Sequence, residues 1–142
     1  MRSWISKALA MAIHDRQLAE HGGSSGVRDE QLLESALARP QQRDSYSDPP
    51  PDLAELAASL CFGLVKNHPF VDGNKRTATV CMETFIRLNG GQLLASDADL
   101  FPRILALADG RLSEADFAQW LRDHLQEGQG QPLHEPAPAA YG

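Results

Sequence analysis

The segment 67–77 reads NHPFVDGNKRT and brings a histidine, a carboxylate, two carboxamides and two cations close together along the chain. The chain as a whole is acidic, because its 142 residues include 13 Lys and Arg against 19 Asp and Glu, for a formal net charge of −6. This balance does not suit a nonspecific nucleic-acid binder, which needs a basic surface. The cations of this segment therefore indicate local chemistry at one site.

His68 is the candidate proton acceptor of the segment. It follows Cys61, Leu64 and Val65 at helical spacing, which by itself favours a core histidine held by one hydrogen bond. Pro69 disfavours helical geometry at the residue before it, so a helix is predicted to end at His68. Histidine side chains exchange protons near neutral pH, and an imidazole at such a break could accept a proton from an attacking hydroxyl.

A helix predicted to begin near Asn74 offers an anion site at its N-terminus, where backbone N–H groups lack partners within the helix. Asp72 and Asn74 both suit helix capping, and Gly73 gives the backbone freedom between them. Lys75 and Arg76 lie in the first turn, the end of the helix dipole where acidic residues are preferred by about 0.3–1 kcal/mol each. Cations at this end indicate a bound anion.

These residues together suit a phosphate chain. Backbone N–H groups near Gly73, Asn74 and Lys75 could hold a phosphate. The Arg76 guanidinium could donate two parallel hydrogen bonds to the phosphate oxygens, and the Lys75 ammonium could add a positive charge. Asp72 could hold Mg²⁺, which commonly binds one or two carboxylates together with substrate phosphates. The set is sufficient for phosphoryl or nucleotidyl transfer, a chemistry that depends mainly on positioning and electrostatics.

Apolar residues recur at helical spacing along almost the whole chain, which predicts a single all-α domain of about six helices over residues 1–126. The predicted helices span 3–20, 29–38, 52–68, 74–88, 98–108 and 113–125. The fourth is apolar on most sides, as expected of a central buried helix. Residues 127–142 are rich in Gly, Pro, Gln and Ala and are predicted to be a disordered tail.

Residues 40–51 include four prolines and almost no apolar side chain, so they are predicted to form an exposed loop that serves either as a functional segment or as a linker. Cys61 and Cys81 lie in apolar segments without zinc-ligand spacing and are predicted to be reduced core residues. No stretch approaches the ~20 apolar residues that span a bilayer, and a cytoplasmic location is expected. His14, His21 and Trp120 are predicted only to pack or to face solvent.

The run HPFVDGNKRT resembles the signature of the Fic/Doc superfamily, His-x-Phe-x-Asp/Glu-Gly-Asn-Gly-Arg-x-x-Arg. The matching positions are His68, Phe70, Asp72, Gly73, Asn74 and Arg76. Residues 13–41 also resemble the N-terminal part of death-on-curing (Doc) toxins, so the resemblance covers about residues 13–125. It implies an all-helical enzyme that transfers part of a nucleotide to a hydroxyl group of a target protein.

The resemblance also implies a role for each matching residue. His68 corresponds to the general base, Asp72 to the metal ligand, and Asn74 and Arg76 to the groups that steady the phosphates. Phe70 corresponds to the anchor of the loop in the core.

Two positions depart from the typical Fic signature, and both bear on the phosphates. Lys75 replaces the second Gly, and Thr79 replaces the second Arg. Such departures are those of Doc toxins, in which the γ-phosphate of ATP is transferred. The resemblance therefore implies a protein kinase acting on a Ser or Thr hydroxyl. The alternatives are a Fic-type adenylyltransferase and a catalytically silent helical module that binds a nucleotide or a partner.

The partners are likewise implied by the resemblance. Many Fic proteins inhibit themselves through a Ser/Thr-x-x-x-Glu-Gly/Asn motif. Here the only Glu followed by Gly or Asn is Glu127, and Asp123 stands four residues before it. Similarity to Doc then implies inhibition by a separate Phd-type antitoxin, and it suggests a translation factor, elongation factor Tu, as the target. The loop 40–51 lies where a target-docking flap would be expected.

Overall fold

The computed structural model describes residues 1–128 and contains six helices and two short strands. The elements in chain order are α1 (Lys7–His21), α2 (Glu30–Tyr46), α3 (Leu53–Asn67), α4 (Asn74–Leu88), β1 (Gly91–Leu93), α5 (Asp97–Asp109), α6 (Glu114–Asp123) and β2 (Leu125–Glu127). The predicted all-α architecture of six helices is confirmed. Residues 129–142, most of the predicted tail, lie outside the described residues.

Helix α3 lies at the centre of the core and packs against α2, α4, α5 and α6. Its sequence LAELAASLCFGLVKN is apolar on most sides, which is why it is buried rather than amphipathic. Gly63 allows α2 to approach closely, because a Cβ at this position would lie 3.2 Å from the Ala36 Cα. Helix α4 packs against α3 and α1 and begins at the candidate site.

The prediction of an exposed loop over residues 40–51 is wrong for residues 40–46, because α2 continues through Pro40 to Tyr46. Proline removes one backbone hydrogen bond and normally ends a helix. Here Pro40 is buried, and the turns on either side of it are held by ion pairs to neighbouring helices. Arg39 and Arg43 each donate to Glu114 at 2.9 Å. Tertiary contacts thus extend the helix past its break, and only residues 47–52 connect α2 to α3.

The N-terminus of α3 is held by Asp52, which is both its cap and half of an ion pair. The Asp52 side chain accepts a hydrogen bond from Glu55 N at 2.9 Å, and Arg122 Nε donates to it from α6 at 2.6 Å. The Arg122 guanidinium is the main reason that the pKa of Asp52 lies below its usual range.

A pH-dependent stability follows from this pair. A carboxylate whose pKa is lowered by folding stabilises the fold above its unfolded pKa of about 3.9, and the stabilisation is lost as the pH falls through the lower folded value. Both side chains are partly exposed, so we expect Arg122→Met to cost about 0.5–1 kcal/mol at pH 7. In urea unfolding the difference from the parent should shrink between pH 5 and pH 3. Arg111→Met, which removes an exposed pair with Asp109, is the control, and a difference independent of pH would contradict the assignment.

Two three-residue strands were not predicted from the sequence. Strand β1 pairs antiparallel with β2, with Gly91 opposite Glu127 and Leu93 opposite Leu125. This pairing brings Glu127, the first residue of the predicted tail, against the strand that follows α4. Three-residue strands are too short to produce a recognisable alternation of apolar and polar residues.

The two cysteines are buried and unpaired, as predicted. Burial raises the pKa of both thiols, that of Cys81 to about 12, which makes them unreactive core residues. None of the helices within residues 1–128 has the length and apolar character needed to cross a bilayer.

Candidate active site

The candidate site is the loop of residues 68–73, which joins the end of α3 to the start of α4. The predicted helix break is present, because α3 ends at Asn67 and His68 adopts a left-handed conformation with φ 51°. His68 N still donates to the Leu64 carbonyl at 3.2 Å, which completes the last turn.

The expectation that His68 points toward the core is wrong, since this residue is exposed. The left-handed backbone takes its side chain off the face that Cys61 and Leu64 share, so helical spacing no longer describes its direction. The imidazole makes no hydrogen bond within residues 1–128 and is accessible to a substrate.

Asn74 holds the loop in a closed turn. Its Oδ1 accepts from Phe70 N and its Nδ2 donates to the Phe70 carbonyl, each at 2.9 Å. Both residues are buried, and Phe70 is the predicted core anchor. The side chain of Asn74 thus positions the loop, and its backbone N–H lies at the start of α4.

Replacing Asn74 by alanine is expected to destabilise the protein by about 2–4 kcal/mol, because two buried backbone groups of Phe70 would lose their partners. Binding of ATP with Mg²⁺ should weaken as well, since the loop would lose its shape. Asn89→Ala is the control, because Asn89 binds the backbone of Ser3 at the far end of α4. That variant should lose stability in urea unfolding but keep its nucleotide affinity in calorimetry. A parent-like urea midpoint for Asn74→Ala would contradict the role.

His14 in α1 packs against the buried side of the loop and holds its backbone, a role that was not predicted from the sequence. Its ring is fully buried and stacks on Phe70 with centroids 3.9 Å apart. Its Nε2–H donates to the Asp72 carbonyl oxygen at 2.9 Å. A carbonyl can only accept, so this bond fixes the proton on Nε2. The contact joins residues 58 positions apart, and no sequence spacing reveals such a pair.

Asp72 is exposed, and its carboxylate accepts hydrogen bonds from two backbone N–H groups, Ser24 N at 3.1 Å and Gly73 N at 2.9 Å. These bonds hold the pKa of Asp72 below its usual range, so the group is ionised at neutral pH. Gly23 must be glycine for this approach, because a Cβ there would lie 2.8 Å from Asp72 Oδ2. No group of three or more His, Cys, Asp and Glu side chains within residues 1–128 could hold a metal ion. Asp72 is a lone ionised carboxylate at this site, and such a group could hold Mg²⁺ beside phosphates, because Mg²⁺ commonly binds one or two carboxylates together with substrate phosphates.

The N-terminus of α4 carries no side-chain cap. Its N-cap residue is Gly73, in a left-handed conformation with φ 75°, so the predicted capping by Asp72 or Asn74 is wrong. Both side chains are engaged elsewhere, as described above. The first N–H groups of α4 consequently have no side-chain acceptor among the described residues, and Lys75 and Arg76 stand beside them. This arrangement can bind an anion.

A cleft of about 230 Å³ opens next to this N-terminus, between α1, α4 and α5. Its lining residues are Gln17, His21, Arg76, Thr79, Val80, Glu83, Asp97, Leu100 and Phe101. Thr79, at the position of the second signature Arg, donates its hydroxyl to the Lys75 carbonyl at 2.7 Å. Its side chain is thereby turned back onto its own helix and supplies no charge to the cleft.

Residues 24–29 run beside the loop and fix its backbone. Val71 N donates to the Gly26 carbonyl at 3.0 Å, and Arg28 N donates to the Pro69 carbonyl at 2.7 Å. The structure thus places the predicted site residues on one loop and the first turn of α4, with His68, Asp72 and Arg76 exposed and Asn74 buried. It adds two supports from earlier in the chain, His14 and the segment 24–29, which carry no sequence motif of their own.

An all-helical fold in which a histidine-bearing loop leads into a buried helix with an uncapped N-terminus defines the class of this protein. A sequence model of the Fic/DOC family matches residues 4–86, more than half of the chain. The chain belongs to the Fic/DOC family, and the membership predicted from the motif is confirmed.

Two named relatives are similar to this chain. One is the "Toxin Doc" of Mycolicibacterium smegmatis, 48% identical over 79 residues, which cover 56% of this chain and 60% of that protein. The other is the "Protein kinase doc" of Escherichia phage P1, 33% identical over 118 residues, which cover 83% of this chain and 92% of that protein. The match thus spans less than two thirds of the mycobacterial relative and most of the phage relative.

Proposed function

We propose that this protein is a Doc-type toxin that transfers the γ-phosphate of ATP to a Ser or Thr hydroxyl of a translation factor. The observation that carries the proposal is the pairing of two features. An exposed histidine, His68, lies at one end of a short rigid loop, and the uncapped N-terminus of α4 with Lys75 and Arg76 lies at the other. The first can take a proton, and the second can hold phosphates. The name of the phage relative, a protein kinase, supports the same reaction.

The proposed reaction follows from these positions. The target hydroxyl oxygen attacks the γ-phosphorus while His68 accepts the hydroxyl proton. The bond from the γ-phosphorus to the bridging oxygen breaks, and ADP leaves. Arg76 and the first N–H groups of α4 hold phosphate oxygens that gain charge during transfer. Mg²⁺ bound at the Asp72 carboxylate would neutralise part of the charge of the phosphate chain.

Transfer of AMP is the alternative reaction, and two residues argue against it. The Lys75 side chain occupies a position that Gly leaves open in the typical Fic signature, and Thr79 provides a hydroxyl already bonded to the Lys75 carbonyl. The site therefore lacks the second guanidinium fork that would hold another phosphate. With one guanidinium instead of two at the phosphates, we propose transfer of the γ-phosphate rather than of AMP.

A toxin of this kind needs an inhibitor, and we propose a separate Phd-type antitoxin. The mycobacterial relative is named a toxin, and residues 1–128 contain no Ser/Thr-x-x-x-Glu-Gly/Asn motif that would block the site from within. Elongation factor Tu is the proposed target, which would place the toxin in the cytoplasm.

Preincubation of purified elongation factor Tu with the protein tests this function. The factor would be treated with Mg²⁺ and ATP, freed of the toxin and then added to a reconstituted translation reaction. Treatment should abolish peptide synthesis with ATP but not with an analogue whose β–γ bridge is nitrogen, because a kinase cannot transfer the terminal group of that analogue. Full synthesis after ATP treatment would refute this target. Inhibition by both nucleotides would instead indicate AMP transfer.

A further inference from the structure

His68 has an unusual backbone for its residue type. It is the only residue other than glycine with a positive φ within residues 1–128, and left-handed geometry costs roughly 1–2 kcal/mol for a side chain with a Cβ. Its imidazole makes no hydrogen bond within the described residues, so no contact of the side chain offsets this cost. Besides the hydrogen bond from His68 N to the Leu64 carbonyl, the turn needs backbone contacts from other residues to hold it.

Arg28 provides that hold from the segment beside the loop. Its Nε donates to the His68 carbonyl and its Nη2 donates to the Asn67 carbonyl, each at 2.7 Å. Its backbone N donates to the Pro69 carbonyl, also at 2.7 Å. One residue thus binds three consecutive carbonyls across the end of α3. A guanidinium at this end also interacts favourably with the helix dipole.

These bonds depend on the left-handed conformation. Rotating His68 to a right-handed helical or extended φ would turn the carbonyls of Asn67 and His68 in different directions, and a planar guanidinium could then no longer reach both. Arg28 cannot easily follow such a change, because the neighbouring Gly26 carbonyl is bound to Val71 N and Asp29 N also donates to Pro69. The hydrogen bonds of Arg28 therefore stabilise the left-handed conformation of His68 relative to the right-handed helical and extended conformations.

We propose that Arg28 is a positioning residue, which holds the His68 backbone in the left-handed turn and thereby keeps the imidazole exposed on the loop that leads into α4. Arg28 does not itself touch substrate. The catalytic half of this inference rests on the proposed function of His68 as base, whereas the conformational half does not.

The test compares Arg28→Leu with the parent by two readouts. The first is the intraresidue HN–Hα coupling and nuclear Overhauser effect of His68, which distinguish a left-handed residue from the other conformations without any activity. The second is the kinetics of transfer. We expect the left-handed signature to be lost, kcat to fall about 10–100-fold, and KM for ATP to stay within about 2-fold, since Arg28 holds no phosphate. Arg111→Leu, an exposed arginine paired with Asp109, should change neither readout.

The outcomes separate this inference from the proposed function. An unchanged His68 signature in folded Arg28→Leu would overturn the inference, whatever the activity. A relaxed turn with parent-like kcat would also overturn it. If the parent itself transfers no phosphate, the proposed function fails, while the spectroscopic comparison still decides the role of Arg28. Should Arg28→Leu not fold, Arg28→Lys provides the same comparison, because an ammonium can reach one carbonyl but lacks the fork.

Discussion

Replacing His68 by glycine is expected to abolish transfer while leaving the protein at least as stable as the parent. Loss of a general base typically lowers kcat by about 10²–10⁴-fold. Glycine adopts the left-handed conformation at φ 51° without strain, so the fold should not be harmed. Stability and activity should therefore change in different directions, which is typical of a residue kept for chemistry and held under strain.

The measurement pairs kcat for the target with the thermal unfolding temperature. His68→Asn is a second informative variant, because asparagine tolerates left-handed geometry but has no imidazole. His124→Ala is the control, since His124 lies at the end of α6 and bonds to the Trp120 carbonyl; it should retain full activity. A loss of less than about 10-fold in His68→Gly would show that His68 is not the base.

Arg76→Ala should produce the second large effect, a loss of about 10²–10³-fold in kcat/KM. Arg76 is exposed in the first turn of α4, so the folded structure should not need it. The loss corresponds to about 3–4 kcal/mol, the range expected for two charge-assisted hydrogen bonds to phosphate. Calorimetry should record a weaker affinity for ATP with Mg²⁺ in parallel.

Arg87→Ala is the matched control for this variant, because Arg87 is an exposed arginine in the last turn of the same helix. It should bind and transfer like the parent. Arg76→Lys should recover only part of the affinity, since an ammonium lacks the planar fork. Nucleotide affinity within about 3-fold of the parent in Arg76→Ala would exclude Arg76 from the phosphate site.

The sequence predicted the helices best where local signals and burial agreed. Helix α4 has the predicted bounds, 74–88, because a break at Gly73 and a terminal Asn89-Gly90 enclose an apolar run. Helix α2 was predicted too short because Pro40 carries a strong local stop signal, whereas Arg39 and Arg43 find acidic partners on α6 that only the folded chain supplies. Helix propensity reflects only the local sequence, whereas the end of α2 is determined by contacts with residues that are distant in the sequence.

In the candidate site, too, some features follow from the local sequence and others depend on contacts with distant residues. The placement of His68, Asp72 and Arg76 on one loop and the first turn of the next helix was predictable, because the helix break and the helix start both have local sequence signals. The exposed direction of His68 was not predictable, since it depends on a left-handed turn that distant groups maintain. Arg28 and His14 reach the loop from 40 and 58 residues away, and neither belongs to a recognisable pattern with the residues it binds. Supports of this kind become visible only when the chain is folded.

The most direct test of the proposed reaction follows the fate of the phosphates of ATP. The protein, its target and Mg²⁺ would be incubated in parallel with ATP labelled at either the α- or the γ-phosphate, and the washed target would be counted. A γ-phosphate transferase, with Lys75 and Thr79 in place of the second glycine and second arginine of the signature, should leave label on the target only from the γ-position. Label retained only from the α-position would contradict the kinase assignment.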